Sequence, residues 1–211
     1  MRKIVKDYFR VISIVWLCFF LFACSDTAPK LSPLADDAII LAFGDSLTYG
    51  SGADNTQKQS YPAILQQLTN HTVINAGMPG EVSRDGLTRL VEELEEYQPD
   101  LVILCHGGND LIRRLNQDKL KNNLEQMITL IQSSGAEVIL IGVPNFNLTL
   151  AVPPLYADVA DKFTIPAELE IIPELERSPK LKSDTIHPNS EGYKRLALVV
   201  QQLLLSTGAL K

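Results

Sequence analysis

The chain has 211 residues, of which 45% are hydrophobic and 21% charged, with 12 glycines and 12 prolines. This composition is typical of a globular protein and excludes a disordered tail, a collagenous chain and a coiled coil. A net charge of −6 disfavours a nucleic-acid binder, which would present a basic face, so no nucleic-acid partner is expected. The three cysteines, Cys18, Cys24 and Cys105, are too few for a disulfide framework or a zinc site.

The N-terminal segment, residues 1–23, has the pattern of an export signal. Four basic residues stand before the apolar run Val11–Phe22, whose 12 residues fall short of the roughly 20 needed to span a membrane. The sequence Leu21-Phe22-Ala23-Cys24 resembles a bacterial lipobox, in which Cys24 would be lipidated and become the mature N-terminus. Ser25 stands where an aspartate would favour the inner membrane. We therefore predict an exported, periplasm-facing protein held at the outer membrane by a lipid on Cys24; a plain secretory signal is the alternative.

Residues 24–37 are polar and contain prolines, which predicts a tether, and residues 38–211 then form one domain. Short apolar runs rich in Val and Ile recur along this domain. Such runs are typical of strands buried on both faces, and they lie at residues 38–43, 72–76, 101–105 and 137–143, with Ile165–Ile172 as the candidate fifth strand.

Helical periods separate the predicted strands. Apolar residues recur at the spacing of half-buried helices in four stripes: Tyr61, Ile64, Leu65, Leu68; Leu87, Leu90, Val91, Leu94; Leu120, Leu124, Met127, Ile128, Ile131; and Tyr193, Leu196, Ala197, Val200. A short helix is expected near residues 158–163. Strands that alternate with helices predict an α/β fold with a parallel sheet and right-handed crossovers.

Polar residues cluster where the predicted strands end, which is where parallel sheets bind ligands. Ser46 follows the first strand, and a serine nucleophile needs a base and a group that orients the base. His187 is the candidate base, and Asp184 stands three residues before it. The order Ser, Asp, His also occurs in α/β-hydrolases, but Thr48 stands where their Gly-x-Ser-x-Gly motif needs the second glycine, so that fold is disfavoured.

Three hydrogen-bond donors at the strand ends could stabilise an oxyanion. They are the backbone N–H groups of Ser46 and Gly77 and the side-chain amide of Asn109. The glycines at 107 and 108 would form the sharp turn that aims the Asn109 amide.

These residues resemble the four sequence blocks of the SGNH (GDSL) hydrolase family. Gly-Asp-Ser-Leu at 44–47, Gly77 in Asn-Ala-Gly, Gly-Gly-Asn-Asp at 107–110 and Asp-x-x-His-Pro at 184–188 come in family order. The resemblance implies a flavodoxin-like three-layer α/β/α sandwich with a parallel five-stranded sheet. It also implies Ser46 as nucleophile, Asp184 and His187 as the base pair, Ser46, Gly77 and Asn109 as oxyanion donors, and no metal or cofactor. The wider sequence is similar to the bacterial periplasmic thioesterase, lysophospholipase and arylesterase branch.

A long apolar connection, Pro144–Val159, follows the fourth predicted strand. Pro153 and Pro154 predict an extended path that stays out of a helix. We expect Leu148, Leu150 and Pro153 to form a wall for the acyl chain of a substrate; the alternative is that the segment only covers the core.

Three functions remain open at this point. The first is a serine esterase or thioesterase that hydrolyses a small-molecule aryl, acyl or lysophospholipid ester through an acyl-enzyme. The second is a carbohydrate O-acetylesterase acting on acetyl groups of a cell wall or polysaccharide. The third, an inactive binding lipoprotein, is disfavoured because Ser46, Asn109, Asp184 and His187 are all present.

Overall fold

The computed structural model describes residues 29–211 and shows one central sheet of five parallel strands. The strands are β1 (Ile39–Gly44), β2 (Thr72–Gly77), β3 (Leu101–Cys105), β4 (Glu137–Ile141) and β5 (Ala167–Glu168). They lie in the order β2-β1-β3-β4-β5, which is the flavodoxin-like order that the family resemblance predicts.

The middle of the sheet is buried because its strands are apolar throughout. All five residues of β3 are fully buried, as are Ile40, Leu41, Ala42 and Phe43 of β1. Strands without polar residues are stable only when helices cover both faces, which is why parallel sheets lie inside α/β sandwiches. The predicted three-layer α/β/α architecture is therefore confirmed.

Helices connect the strands and cover both faces of the sheet. Within residues 29–211 they are α1 (Ser46–Tyr49), α2 (Thr56–Gln59), α3 (Tyr61–Thr69), α4 (Ser83–Tyr97), α5 (Gly108–Ile112), α6 (Gln117–Ser133), α7 (Pro154–Phe163), α8 (Ile171–Arg177) and α9 (Ser190–Thr207), with a 3₁₀ turn at Pro179–Leu181. Helix α3 packs against α9, and α4 packs against α6. In this part of the chain no helix is both long and apolar enough to cross a membrane.

Most apolar residues of the predicted helical stripes are buried, as their spacing predicts. The five apolar residues of the α6 stripe and the four of the α9 stripe are all buried. In α4 the stripe is narrower than predicted, because Val91 is 42% exposed while Leu90 and Leu94 face the core.

The predicted tether is partly packed onto the domain. Leu31 is buried, and its N–H donates to the carbonyl of Thr207; the N–H of Leu34 donates to the carbonyl of Ala209. The folded part of the chain therefore includes residues from Leu31 onward. The predicted signal segment and the lipidation site at Cys24 lie outside the described residues.

The segment after β4 differs from its prediction. Pro154 does not keep the chain out of a helix but is the first residue of α7, with Pro153 in the N-cap position. Proline suits a first helical turn because the N–H it lacks would have no partner there and its φ is already helical. The fifth strand is confirmed within Ile165–Ile172, but it has only two residues, and from Ile171 the chain is helical.

Candidate active site

The candidate site lies at the carboxyl ends of β1, β2 and β3. Gly44 at the end of β1 is level with Gly77 of β2 and with Cys105 of β3. The turns that follow these strands therefore meet at one edge of the sheet, and the loop before α9 brings His187 to the same place.

A tight turn from β1 into α1 presents Ser46. A side chain at Gly44 would come within 2.1 Å of the carbonyl oxygen of Cys105, so only glycine fits at the close of β1. Asp45 caps α1 by accepting a hydrogen bond from the N–H of Leu47. Ser46 is the first residue of this four-residue helix, and its Oγ lies 3.0 Å from Nε2 of His187.

His187 is oriented by Asp184. Nδ1 of His187 lies 2.8 Å from Oδ2 of Asp184, while Oδ1 of Asp184 accepts the backbone N–H groups of Ile186 and His187. Partial burial raises the pKa of the Asp184 carboxyl, but these hydrogen bonds outweigh burial and lower the pKa to about 2. The ionised carboxylate holds the ring proton on Nδ1, so Nε2 is free to accept the Ser46 proton.

The loop that carries Asp184 and His187 is held at its base. The N–H of Ser183 donates to the carbonyl of His187, and Nζ of Lys182 donates to the carbonyl of Thr185 at 2.7 Å. Lys182 also pairs with Glu176, whose side chain is only 1% exposed. Burial raises the pKa of the Glu176 carboxyl, and its Oε1 has no partner among the described residues.

Two of the three predicted oxyanion donors have an N–H without an acceptor among residues 29–211. The N–H of Ser46 has no acceptor among residues 29–211. Nδ2 of Asn109 lies 3.3 Å from Oδ2 of Asp45, which orients the amide, and its second proton has no acceptor within the described part of the chain. Asp45 is 2% exposed, and burial raises the pKa of its carboxyl. The structure therefore brings Ser46 and Asn109 together through Asp45.

The third predicted donor, Gly77, is already engaged. Its N–H donates to Oδ1 of Asn75 at 3.0 Å. Its lack of a side chain is explained by packing, because a Cβ would come within 2.1 Å of the backbone nitrogen of Tyr49. Gly77 lies at the expected strand end, but its N–H is not free in this structure.

Gly80 is a candidate donor that sequence reasoning missed. The N–H of Glu81 donates to the carbonyl of Met78, which closes a turn, and Gly80 has a φ of +81°. Among the described residues nothing accepts the N–H of Gly80, and Gly80 is exposed. The available signal was the Pro79-Gly80 pair, which is typical of a type II turn with proline second and glycine third.

The three predicted acyl-wall residues occupy different environments. The side chain of Leu148 is completely exposed on the loop after β4, and Leu150 is half-buried with a φ of +47°. Pro153 is buried at the start of α7. The carbonyl of Thr149 accepts a hydrogen bond from Arg177 of α8, which places this loop on the α8 side of the sheet.

Other polar residues near the site have structural partners. Both carboxylate oxygens of Asp110 accept hydrogen bonds from Ser83, at its N–H and its hydroxyl, so Asp110 caps the start of α4 from a distant part of the chain. Cys105 is fully buried, and burial raises the pKa of its thiol, which is the opposite of an activated nucleophile. Among residues 29–211 no group of three or more His, Cys, Asp or Glu side chains is placed to hold a metal ion.

Comparison with known proteins identifies the class to which this fold and site belong. Residues 42–195 match the GDSL-like lipase/acylhydrolase family, and the chain belongs to that family. It is 30% identical to an arylesterase of Vibrio mimicus over 93% of this chain and 98% of that protein. It is 29% identical to thioesterase 1/protease 1/lysophospholipase L1 of Escherichia coli strain K12, over 75% of this chain and 79% of that protein.

Solved structures agree with the family assignment. The crystal structure of TesA superposes with a TM-score of 0.71 at 27% identity, covering 80% of this chain and 99% of TesA. The chain is therefore an ester-hydrolysing enzyme with the fold of the SGNH hydrolases.

Proposed function

We propose that the enzyme hydrolyses carboxylic esters and thioesters through an acyl group carried on Ser46. The observation that carries this proposal is the unbroken chain from Ser46 Oγ to His187 Nε2 at 3.0 Å and from His187 Nδ1 to Asp184 Oδ2 at 2.8 Å. A nucleophile, its base and the group that orients the base are thus within hydrogen-bond distance before substrate arrives.

The reaction proceeds in two displacements. Ser46 Oγ attacks the ester or thioester carbonyl carbon while its proton moves to His187 Nε2, and a tetrahedral oxyanion forms. As this intermediate collapses, the imidazolium returns the proton to the departing alcohol or thiol, which leaves Ser46 acylated. A water molecule then attacks the acyl carbon and gives a proton to His187. As the second tetrahedral intermediate collapses, the imidazolium returns this proton to Ser46 Oγ, and the carboxylic acid is released. Asp184 stays ionised throughout and stabilises the imidazolium.

The oxyanion is stabilised by the Ser46 N–H and the Asn109 amide, together with a backbone N–H from the turn after β2. Each such donor is worth about 2.7–4 kcal/mol of barrier. Gly77 can serve only if Asn75 releases its N–H, whereas the N–H of Gly80 is already without an acceptor among the described residues. Gly80 is therefore the better supported donor from this turn.

Replacing the nucleophile tests the proposal. Ser46→Ala should abolish hydrolysis of p-nitrophenyl butyrate. The thermal unfolding midpoint should stay nearly unchanged, because the Ser46 hydroxyl is not part of the hydrophobic core. Asp54→Ala, on the exposed loop between α1 and α2, is the matched control and should keep wild-type activity. Removal of a serine nucleophile lowers activity far below about 1% of wild type. A Ser46→Ala variant that keeps more than this would show that Ser46 is not the nucleophile.

A second candidate, the carbohydrate O-acetylesterase, is favoured by one observation. A cavity of about 370 Å³ borders the candidate site at Tyr49 and Gly77, and Asn75, Gln57 and Thr56 contribute neutral polar side chains to its lining. Uncharged amides and hydroxyls beside an aromatic ring suit a sugar alcohol as leaving group. A panel of p-nitrophenyl esters separates the candidates: turnover that rises with acyl length supports the acyl esterase, and turnover of acetyl esters alone supports the acetylesterase.

We also propose that the enzyme is exported and anchored by a lipid on Cys24. The support is the basic start, the short apolar run and the lipobox-like Leu21–Cys24. Expressed in a bacterium fed labelled palmitate, the wild-type chain should carry label and sediment with membranes, and Cys24→Ser should do neither. A Cys24→Ser chain that remains labelled would contradict the anchor.

A further inference from the structure

The two turns that carry Asn109 and Gly80 are joined by a buried histidine. His106 is fully buried and lies in the turn between the end of β3 and the start of α5, the helix that begins at Gly108 and carries Asn109. Its Nδ1 accepts the backbone N–H of Gly107 at 2.9 Å, and its Nε2 lies 3.1 Å from Oε2 of Glu81. Its carbonyl oxygen accepts the hydroxyl of Tyr156 at 2.8 Å, so ring and backbone are both held.

This arrangement fixes the tautomer of His106. A ring nitrogen that accepts an N–H cannot carry a proton, so Nδ1 is bare and the single proton of the neutral ring lies on Nε2. Nε2 therefore donates to Glu81. Protonation of Nδ1 would break the bond to Gly107, so His106 is unsuited to act as a base, and both of its nitrogens are used in holding chain segments together.

Glu81 is itself fixed to the end of β1. Both of its carboxylate oxygens accept from the guanidinium of Arg89, at 2.7 and 2.8 Å, and Arg89 also reaches the carbonyl of Gly44. The guanidinium lies 4.3 Å from the centre of the Phe43 ring, so it is held by stacking as well as by hydrogen bonds. Burial raises the pKa of the Glu81 carboxyl, but the bonds from Arg89 and His106 outweigh burial and lower the pKa to about 2.

We propose that His106 is a positioning residue that ties the turn bearing Asn109 to the turn bearing Gly80 through Glu81. The contacts of His106 with Gly107 and Glu81 form a clamp between the two turns. The inference rests on the proposed function, because it assigns this clamp the role of keeping the oxyanion donors at their spacing while negative charge develops. Donors stabilise a transition state only if they are already in place when charge appears, and a displacement of a fraction of an ångström weakens them. In this proposal His106 has no contact with the substrate, because its side chain is fully buried.

The surroundings of His106 favour a role in positioning over simple core filling. A position that only fills the core favours an apolar side chain, whereas both ring nitrogens of His106 form hydrogen bonds, one in each of two different turns. Gly86 of α4 leaves room for the ring, since a Cβ there would come within 2.3 Å of Nε2. The turn after β2, the turn after β3 and helix α4 therefore all meet at this side chain.

Replacement of His106 should change kcat and leave KM nearly constant. In His106→Phe both ring bonds are lost, and kcat for p-nitrophenyl butyrate should fall on the order of tenfold to a hundredfold, less than the loss of a whole donor. The inhibition constant of a trifluoromethyl ketone, which forms an oxyanion on Ser46, should rise by the same factor as kcat/KM falls. The inhibition constant of the corresponding methyl ketone should stay unchanged. A general loosening of the fold would weaken the binding of both ketones, so the difference between them is specific to the oxyanion donors.

Conservative variants should restore activity in part. In His106→Asn the amide oxygen can replace Nδ1 and accept the Gly107 N–H, and in His106→Gln the amide nitrogen can replace Nε2 and donate to Glu81. Each should lie between His106→Phe and wild type. Glu93→Gln is the matched control, because Glu93 pairs with the same Arg89 from α4 but reaches neither turn, and its kcat should stay within twofold of wild type.

The outcomes separate this inference from the proposed function. If His106→Phe does not fold, Glu81→Gln replaces it and should show the same loss of kcat and of trifluoromethyl ketone affinity on a smaller scale. If the variant that folds keeps kcat within twofold, or changes KM alone, while Ser46→Ala is inactive, the clamp is wrong and the serine mechanism stands. If Ser46→Ala retains activity, the proposed function itself fails.

Discussion

At the residue scale, the proposed mechanism assigns Asn109 and His187 to different atoms of the reaction. Asn109 would donate to the oxyanion, which exists only in the tetrahedral intermediate, whereas His187 would move the proton in both displacements. Loss of one oxyanion donor costs about 10²–10³ in kcat. Asn109→Ala should therefore lower kcat by that factor with little change in KM, and His187→Ala should lower it further.

Steady-state kinetics on p-nitrophenyl butyrate with both variants checks this prediction. Asn116→Ala, which removes the cap of α6 away from the reacting atoms, serves as the folding control. Defects confined to KM in Asn109→Ala and His187→Ala would mean that the two residues hold substrate and take no part in the chemistry.

The candidate donors show where residue types suffice and where they do not. Ser46, Asp184 and His187 were predictable because the chemistry needs a hydroxyl, a carboxylate and an imidazole, and the structure brings these side chains within hydrogen-bond distance. Backbone donors carry no such signature, because every residue except proline has an N–H. The N–H of Gly77 is bound by the neighbouring Asn75 amide, whereas the N–H of Gly80, at positive φ, has no acceptor among residues 29–211. The position of a residue at a strand end reveals neither fact.

At the element scale, the loop between β4 and α7 carries the acyl-wall hypothesis. Leu148 is fully exposed, so a charge there should cost the fold little. If its side chain lines the path of an acyl chain, each methylene of the substrate gains about 0.8 kcal/mol, or roughly fourfold in kcat/KM. Leu148→Asp should therefore reduce activity on octanoyl esters far more than on acetyl esters, and Leu150→Asp should act in the same direction.

The ratio of octanoyl to acetyl turnover is the measurement. Val91→Asp is the matched control, since Val91 is an exposed apolar residue on α4. Equal losses on both esters, or no loss on either, would remove the loop from the acyl site and favour the acetylesterase candidate.

The strands and helices were predictable where the apolar pattern is strong and polar or glycine residues mark its ends. Strand β3 is found at the residues of its apolar run, and α6 buries the stripe that its spacing defines. Prediction was wrong at Pro154 because a proline can interrupt a helix or begin one, and the residues after the proline decide between the two. Here Leu155, Tyr156 and Val159 provide the buried face that makes a helix favourable.

At the scale of the whole molecule, stability should depend on pH through two carboxylates. The pKa values of Glu81 and Asp184 are both about 2, below the ordinary value near 4. A group whose pKa is lower in the folded state stabilises it above the unfolded pKa and loses that effect as the pH falls towards the folded pKa. The free energy of unfolding should therefore decrease between about pH 4 and pH 2.

Glu81→Gln isolates one of these contributions. Urea unfolding at pH 5 and pH 2.5 should show a smaller loss of stability in the variant than in wild type, by about 1–3 kcal/mol. The comparison between the two proteins is needed because the raised pKa values of Asp45 and Glu176 act in the opposite sense. Parallel losses in both proteins would mean that Glu81 is not held as an anion.

The architecture as a whole was accessible from sequence because alternating apolar runs and amphipathic stripes allow few topologies. Contacts between segments that are distant in the chain could not be predicted from the sequence. The packing of Leu31 against the end of α9, and the bond from His106 to Glu81, join residues whose side chains give no local signal of their partner.

The central claim is that Ser46 becomes the covalent carrier of the acyl group, and covalent trapping tests it most directly. The enzyme would be treated with a fluorophosphonate, digested, and its peptides mapped by mass spectrometry, with His187→Ala treated in parallel. A single adduct on Ser46, formed fast in wild type and slowly in His187→Ala, is the result we predict. An active enzyme that is not labelled on Ser46, or that loses activity through an adduct on another residue, would contradict it.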